Sequence, residues 1–232
     1  MNTNIKANNL YLILAAIFIA SLVSCNLIFQ KFFQINIWIP FIGEYSFEQS
    51  VGLLPYPVTF LVTDIISEIY GLKKANQVVT AGLVASMFML IVVSIANFVT
   101  ATSWSPVNNE IFNQVFGLSA AAVFASMLAY LFAQYIDIRL FHFWKKLTNG
   151  KHLWLRNNAS TIFSQFIDTF SVLFLLCTFH VITWDRFNVL LINGFLFKVF
   201  FAAFDTPIFY FFSWYLKRKF GLKDNEDLSQ IS

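Results

Sequence analysis

The sequence predicts an all-α integral membrane protein, a bundle of six transmembrane helices. Of its 232 residues, 58% are hydrophobic and only 12% are charged. Soluble domains carry about 25% charged residues, so too few charges are present to cover a water-facing surface. The apolar residues form continuous runs of about 20 residues, which is the length of a spanning helix, whereas barrel strands would alternate in polarity. The composition therefore excludes a soluble globular domain.

The six predicted spans form one domain over residues 1–232. They lie near residues 10–30, 50–70, 77–99, 115–138, 158–181 and 189–216. The first run follows Lys6 and is long enough to span. Because no small-residue cleavage pattern follows it before Lys31, we interpret it as a retained helix rather than a signal peptide.

The second span begins irregularly, with Gly52, Pro55 and Pro57 ahead of its polar residues. Proline removes a backbone donor and restricts the residue before it, so Leu54 and Tyr56 are expected in extended geometry. Two interpretations stay open. One is a broken entry that lines a cavity, as in transporters, and the other is a simple proline at the interface.

Spans three to six are joined by short connections. Span three carries no charged residue, span four ends in Gln134 and Asp137, and spans five and six hold ionisable groups in their interiors. Trp104 and Trp184 lie at the outer ends of spans, where tryptophan anchors helices at the membrane interface. These four runs complete the predicted bundle.

The basic residues alternate between the two sides of this predicted bundle. The tails and even-numbered loops hold twelve lysines and arginines, against two in the odd-numbered loops. Cytoplasmic loops carry the excess of basic residues, so both termini are predicted to be cytoplasmic. An even number of spans requires the same arrangement.

Several ionisable residues fall inside the spans, where a charged group costs about 2.5–3.5 kcal/mol and usually marks a cavity or an ion pair. They are Asp64, Glu68, Asp137, Asp168, Lys198 and Asp205. Lys198 and Asp205 are seven residues apart on one helix, too far for a direct pair, so Lys198 needs a carboxylate from another helix. We predict a polar pocket inside the bundle; interhelix ion pairs that only register the helices are the alternative.

The sequence lacks the motifs that are typical of other classes of function. No glycine-rich phosphate loop is present, so the chain is not expected to hydrolyse ATP itself. Cys25 and Cys177 have no partner spacing, and no metal-ligand cluster or cofactor motif is found, so no cofactor and no enzymatic activity are expected. The net charge of +3 does not imply a nucleic-acid partner, because membrane chains place basic residues on one side for insertion.

Residues 55–71, PYPVTFLVTDIISEIYG, resemble the signature of the queuosine precursor transporter family, also called the vitamin uptake transporter family. Residues 134–137, QYID, resemble that family's fourth-span ending. Residues 154–161, WLRNNAST, together with Ser164, Gln165 and Asp168, resemble its fifth-span entry. The resemblance covers almost the whole chain and has the same six-span layout.

The resemblance implies import of 7-deazaguanine precursors of queuosine across a bacterial inner membrane. The expected substrates are 7-cyano-7-deazaguanine, 7-aminomethyl-7-deazaguanine or queuine, moved by a secondary carrier or facilitator. The alternative is a substrate-binding subunit that docks on the ATPase module of an energy-coupling-factor importer. Small-residue stripes serve contacts within and between chains equally well, which leaves a homo-oligomer open.

The residues expected to bind the base are chosen by their chemistry. A carboxylate can accept hydrogen bonds from N1–H and the exocyclic amine together, and amides can bond the carbonyl and ring nitrogen. The predicted substrate-binding residues are Asp64, Glu68, Asn157, Asn158, Gln165, Asp168 and Lys198. Asp137 and Asp205 are predicted to serve coupling or gating.

Overall fold

A computed structural model describes residues 3–40, 43–117, 120–149, 151–223 and 226–230, without a few side chains in these ranges, that of Arg156 among them. The described chain contains six α-helices and one β-hairpin. In chain order these are α1 (Thr3–Ile28), β1 (Phe32–Ile39), β2 (Gly43–Ser50), α2 (Tyr56–Phe98), α3 (Asn109–Phe116), α4 (Ala120–Leu147), α5 (Leu153–Thr178) and α6 (Phe187–Phe220). Short 3-10 turns lie at Val51–Leu53, Trp184–Arg186 and Leu228–Gln230.

Four segments of the described chain are long and apolar enough to cross a membrane. They are Ile5–Ile28, Val51–Phe98, Leu153–Thr178 and Trp184–Phe220. The chain is therefore a mostly helical, multi-pass membrane protein. The predicted spans 50–70 and 77–99 both fall within the single segment Val51–Phe98. The span predicted over 115–138 includes residues outside the described part of the chain. The count of six crossings and the side of the termini stay predictions.

The second and third predicted spans form one helical element, α2, and not two helices separated by a loop. Its 43 residues would reach about 65 Å if straight, roughly twice the hydrocarbon thickness of a bilayer. Gly71 interrupts the helix with φ 81° and ψ 174°. A single glycine therefore takes the place of the predicted connection and divides α2 into two segments.

We expect Gly71→Ala to destabilise the protein by about 1–3 kcal/mol, because this backbone region is almost restricted to glycine. An added Cβ would also lie 3.0 Å from Oδ2 of Asp227. The matched control is Gly221→Ala, where φ is +71° but the space around the Cβ is open. Thermal unfolding in detergent should show the larger loss for the Gly71 variant; equal losses would contradict this role of Gly71.

A β-hairpin fills the region predicted to be a loop between spans one and two, in a chain that is otherwise mostly helical, as predicted. Strands β1 and β2 pair antiparallel, from Phe32 opposite Ser50 to Ile39 opposite Gly43. Gln34 and Asn36 alternate with Phe33, Ile35 and Ile37, the period-two pattern of a strand. The alternation was too short to stand out beside the apolar runs.

The entry to α2 is irregular, but its geometry differs from the prediction. Leu54 has φ −64° and ψ −45°, which is right-handed helical and not extended. The reason is the 3-10 turn Val51–Leu53, whose first turn is capped by the Ser50 hydroxyl accepting from the Gly52 amide at 3.1 Å. The turn runs directly into Pro55, and Tyr56 begins α2.

The helix α4 is shifted along the chain from its predicted span. It continues beyond Asp137 to Leu147, so Lys145 and Lys146 belong to the helix and not to a basic loop. Helical geometry then repeats every four residues from Asp137 through Phe141 to Lys145, which places all three on one face. This correction matters for the site, because Lys145 points into the bundle and is buried.

The bundle has a polar interior and an apolar exterior. Packing joins α4 to α5 and α6 to α5, while α2 lies against α1, α4 and α6. Gln134, Asp137 and Asn193 are fully buried, whereas Phe88, Phe98 and Phe200 are exposed. This distribution is what lipid as a solvent favours, and it gathers the polar side chains around the first segment of α2.

Candidate functional site

The buried polar groups form three layers along the bundle. Four-residue spacing places Tyr56, Phe60, Asp64 and Glu68 on one face of α2. We name the layers by their main groups: the cavity layer (Tyr56, Asp168, Lys198), the carboxyl layer (Asp64, Asp137, Asp205) and the lysine layer (Glu68, Lys145, Lys217). Each layer takes one side chain from each of three helices among α2, α4, α5 and α6.

In the cavity layer, Asp168 is bound on one side only. Its Oδ2 lies 2.5 Å from Nζ of Lys198 and accepts a hydrogen bond from the Tyr56 hydroxyl. The Lys198 ammonium also lies 4.1 Å from the centre of the Tyr56 ring, a cation–π contact. The prediction that Lys198 pairs with a carboxylate of another helix is confirmed. Oδ1 of Asp168 is buried and has no hydrogen-bond partner in the described structure.

A cavity of about 140 Å³ opens beside this pair. Its walls come from α1, the hairpin, the entry to α2, and the helices α4, α5 and α6. They include Leu22, Cys25, Asn26, Phe29, Gln49, Ser50, Tyr56, Tyr130, Asp168, Thr169, Leu190, Gly194 and Lys198. A cavity of roughly 150 Å³ is known to accept one aromatic ring. The cavity thus combines an aromatic-sized space with one carboxylate oxygen that lacks a partner.

Two tyrosines give the cavity an aromatic wall. The rings of Tyr56 and Tyr130 meet edge-on, with centroids 5.3 Å apart, a favourable arrangement for buried rings. A hydrogen bond restrains the Tyr130 side chain, because Nε2 of Gln134 donates to its hydroxyl at 2.6 Å. The Thr63 hydroxyl lies 3.5 Å from Oε1 of Gln134 and closer, at 3.0 Å, to the carbonyls of Thr59 and Phe60. The bond from Gln134 holds the ring of Tyr130 in a defined position.

The β-hairpin covers the cavity and is fastened to the start of α6. Nε2 of Gln49 donates to the Leu190 carbonyl at 3.3 Å, and Nδ2 of Asn193 donates to the Glu48 carbonyl at 3.0 Å. Arg186 forms an ion pair with Glu48 at 3.0 Å on the outside. Gly194 permits the approach, since a Cβ there would lie 2.8 Å from Nε2 of Gln49.

The carboxyl layer lies deeper than the cavity. The carboxyl groups of Asp64 and Asp137 face each other within hydrogen-bonding range. The Ser164 hydroxyl donates to Oδ1 of Asp137 at 2.9 Å. Asp205 lies nearby on α6 and is half-buried. Two adjacent carboxylates repel each other, so such a pair shares a proton when it is enclosed.

In the lysine layer, Glu68 pairs with two of the cations that the structure describes. Its Oε1 lies 2.5 Å from Nζ of Lys217, and its Oε2 lies 3.3 Å from Nζ of Lys145. All three side chains are buried, and Glu68 is 0% exposed. These pairs tie α2 to α4 and α6, the arrangement that the alternative interpretation of structural ion pairs predicted.

Of the seven residues predicted to bind substrate, the structure places Asp168 and Lys198 at the cavity wall. Asp64 and Glu68 lie in the deeper layers. Gln165 and Asn157 are buried away from the wall. Nδ2 of Asn158 bonds the Thr206 hydroxyl and the Trp154 carbonyl, both at 2.9 Å. A role in binding for these five stays a prediction that the cavity geometry does not support.

Sequence reasoning missed three wall residues: Gln49, Tyr56 and Tyr130. Tyr56 lies inside the signature stretch, where its position before Pro57 indicates backbone geometry and not a role in binding. Tyr130 precedes Gln134 by four residues, so the helical spacing already placed it on the polar face of α4. Gln49 carried no signal, because its position depends on a hairpin that was not predicted.

Comparisons of the sequence with known proteins find a family and several relatives. The model of the family described as "Putative vitamin uptake transporter" matches residues 50–212. The chain is 28% identical over 122 residues to the "Probable queuosine precursor transporter" of Bacillus subtilis, covering 52% of this chain and 53% of that protein. It is 26% identical over 130 residues to the "Queuosine precursor transporter" of Escherichia coli, covering 56% of each.

The chain spans about half the length of the curated relatives it matches. No solved structure gives a significant match. The family match covers well over half of this chain and includes the cavity layer, the carboxyl layer and most of α6. The chain therefore belongs to the vitamin uptake transporter family.

Proposed function

We propose that the protein imports 7-deazaguanine precursors of queuosine across the bacterial inner membrane, as a secondary carrier or facilitator. The observation that carries the proposal is Oδ1 of Asp168, which is buried at the wall of an aromatic cavity and has no partner among the described residues. A buried acceptor without a partner is costly. A ligand with donors would satisfy it, and the names of the relatives supply the class of ligand.

The cavity matches the chemistry of a deazaguanine base. The base presents N1–H and an exocyclic amine side by side. Oδ2 of Asp168 is already bound by Lys198 and Tyr56, and the two lone pairs of Oδ1 can accept from these donors. In this arrangement the base donates to Asp168, and Lys198 donates to the base carbonyl. The rings of Tyr56 and Tyr130 contact the aromatic faces or edges of the base. Hydrogen-bond recognition of this kind rejects analogues that lack one donor.

The test is uptake of labelled 7-cyano-7-deazaguanine by proteoliposomes that contain only this protein. We expect uptake that saturates and that guanine inhibits more strongly than hypoxanthine, since hypoxanthine lacks the exocyclic amine. Equal inhibition by both would contradict the role of Asp168. Uptake that requires an added ATPase module and ATP would contradict the carrier and favour the docking-subunit alternative.

We further expect the neutral 7-cyano base to bind more tightly than the cationic 7-aminomethyl base. The ion pair of Lys198 with Asp168 is neutral overall. A second ammonium group would lie beside Lys198, and the described wall residues include no carboxylate other than Asp168. Like charges in a medium of low dielectric repel strongly. Competition for uptake should give about a tenfold difference, the equivalent of 1.4 kcal/mol. Preference for the cation would contradict this assignment.

A further inference from the structure

The carboxyl layer differs from the two layers around it because, among the described side chains, its acids form no ion pair with a base. In the cavity layer Asp168 pairs with Lys198, and in the lysine layer Glu68 pairs with Lys145 and Lys217. Among the side chains that the structure describes, none that is basic forms an ion pair with Asp64 or Asp137. Both carboxyl groups are nonetheless buried, at 3% and 0% exposure.

Polar atoms in this layer lack partners. Oδ1 of Asp64 and Oδ2 of Asp137 have no hydrogen-bond partner in the described part of the chain, and neither does the buried hydroxyl of Thr161. That hydroxyl faces Asp137 from α5. A buried carboxylate that lacks both a cation and a full set of donors is strongly unfavourable. A carboxyl group that carries a proton removes the charge and supplies the missing donor.

The described neighbours of the pair are acids and hydroxyl groups. Asp137 of α4, Asp205 of α6 and Glu68 of α2 act on Asp64, and all three are acids. The helix α5 contributes the hydroxyls of Ser160 and Ser164 to Asp137. No group of histidine, cysteine, aspartate or glutamate in the described residues is arranged to hold a metal ion. The ligand that fits this layer is therefore a proton.

Helix α4 links the cavity wall to the carboxyl layer. Tyr130 lies at the cavity wall, and Nε2 of Gln134 donates to its hydroxyl at 2.6 Å. Gln134 is fully buried, and Asp137 follows Tyr130 by seven residues, which places it on the same side of α4 about two turns further along. A base that contacts Tyr130 therefore lies about two helical turns from the acid pair.

Packed rings close the opposite side of the layer. Phe141 and Phe209 follow Asp137 and Asp205 by four residues each, are fully buried, and have ring centroids 6.1 Å apart. The lysine layer lies beyond them. These two rings lie between the acid pair and the described groups of the lysine layer along α4 and α6.

We propose that Asp64 and Asp137 form a proton-binding site that couples entry of the base to entry of protons. The pair holds a proton while it is enclosed and releases it when the bundle opens to water beyond Phe141 and Phe209. Coupling rests on the proposed function, since it needs a transported base. Proton binding does not, and the two are tested separately.

Proton binding is tested by infrared spectroscopy of the purified protein in lipid. We expect a carbonyl band of a protonated, buried carboxyl group at neutral pH, and we expect Asp64→Asn and Asp137→Asn each to remove or shift it. The matched control is Asp185→Asn, since Asp185 is an exposed carboxylate beside Arg186. Absence of the band from the unaltered protein, or its persistence unchanged in both buried variants, overturns the proposal.

Coupling is tested with the same proteoliposomes. An inside-neutral, outside-acid gradient should drive accumulation of 7-cyano-7-deazaguanine in the unaltered protein. Asp137→Asn should reduce accumulation to the equilibrium distribution while exchange of labelled for unlabelled base continues, because the amide mimics a permanently protonated acid. Accumulation by Asp137→Asn that still follows the gradient overturns the coupling. If the unaltered protein takes up no base, the proposed function fails, and the infrared band alone decides proton binding.

Discussion

Asp168→Asn is expected to abolish uptake of the deazaguanine base. In asparagine, either a neutral amide oxygen or an amide donor replaces the carboxylate oxygen Oδ1 that accepts from the base, so at least one charge-assisted hydrogen bond is lost. Such bonds contribute about 1.5–3 kcal/mol each, so the affinity should fall on the order of a hundredfold or more. The measurement is binding of labelled base to purified protein, together with uptake by proteoliposomes.

The same substitution leaves Lys198 buried without its partner, which costs stability as well. The double variant Asp168→Asn with Lys198→Met separates the two effects, because the methionine removes the unpaired cation and keeps the volume. We expect thermal stability to return toward that of the unaltered protein while binding stays lost. Binding that returns with stability would show that Asp168 serves only to hold Lys198.

Glu68→Gln is expected to destabilise the folded protein by about 3–5 kcal/mol, the usual cost of removing one partner from a buried ion pair. The amide would leave Lys145 and Lys217 close together inside the bundle with no carboxylate between them. Unfolding in detergent and the yield of folded protein measure the effect. Glu44→Gln, on the exposed part of the hairpin, is the matched control.

This expectation differs from the one that the sequence alone suggests for Glu68. If Glu68 bound the base directly, Glu68→Gln would remain folded and lose uptake. If the residue ties α2 to α4 and α6, the variant loses stability first. A stable Glu68→Gln protein that fails to bind base would contradict the structural role and return Glu68 to the binding site.

Much of the site is predictable from the sequence because burying charge in lipid is costly. That cost singles out Asp64, Asp137, Asp168 and Lys198, and helical spacing alone requires Lys198 to find a carboxylate on another helix. The partner, Asp168, is among the residues that the same reasoning selects. Composition and run length likewise predict a helical membrane protein without any knowledge of tertiary contacts.

The rest depends on tertiary geometry that the sequence pattern does not express. Lys145 appeared to be a loop residue, since its neighbours Lys146 and Arg139 are basic and charge usually ends a span. The helix continues because Glu68, from a distant segment, neutralises Lys145. The hairpin was missed for a related reason: its alternation is short, and its stability depends on contacts with α6 that lie about 140 residues away in the chain.

The contacts that hold the hairpin against α6 should affect how the proposed substrate enters the cavity. Its outer ion pair between Arg186 and Glu48 is exposed to the aqueous phase, where added electrolyte weakens such attractions. The inner bonds from Gln49 and Asn193 are neutral and are insensitive to ionic strength. Raised salt should therefore increase the rate at which the proposed substrate enters the cavity, without weakening the packing of the helices. The ionic strength of the medium would then affect the entry rate, while the buried residues of the cavity determine which base binds.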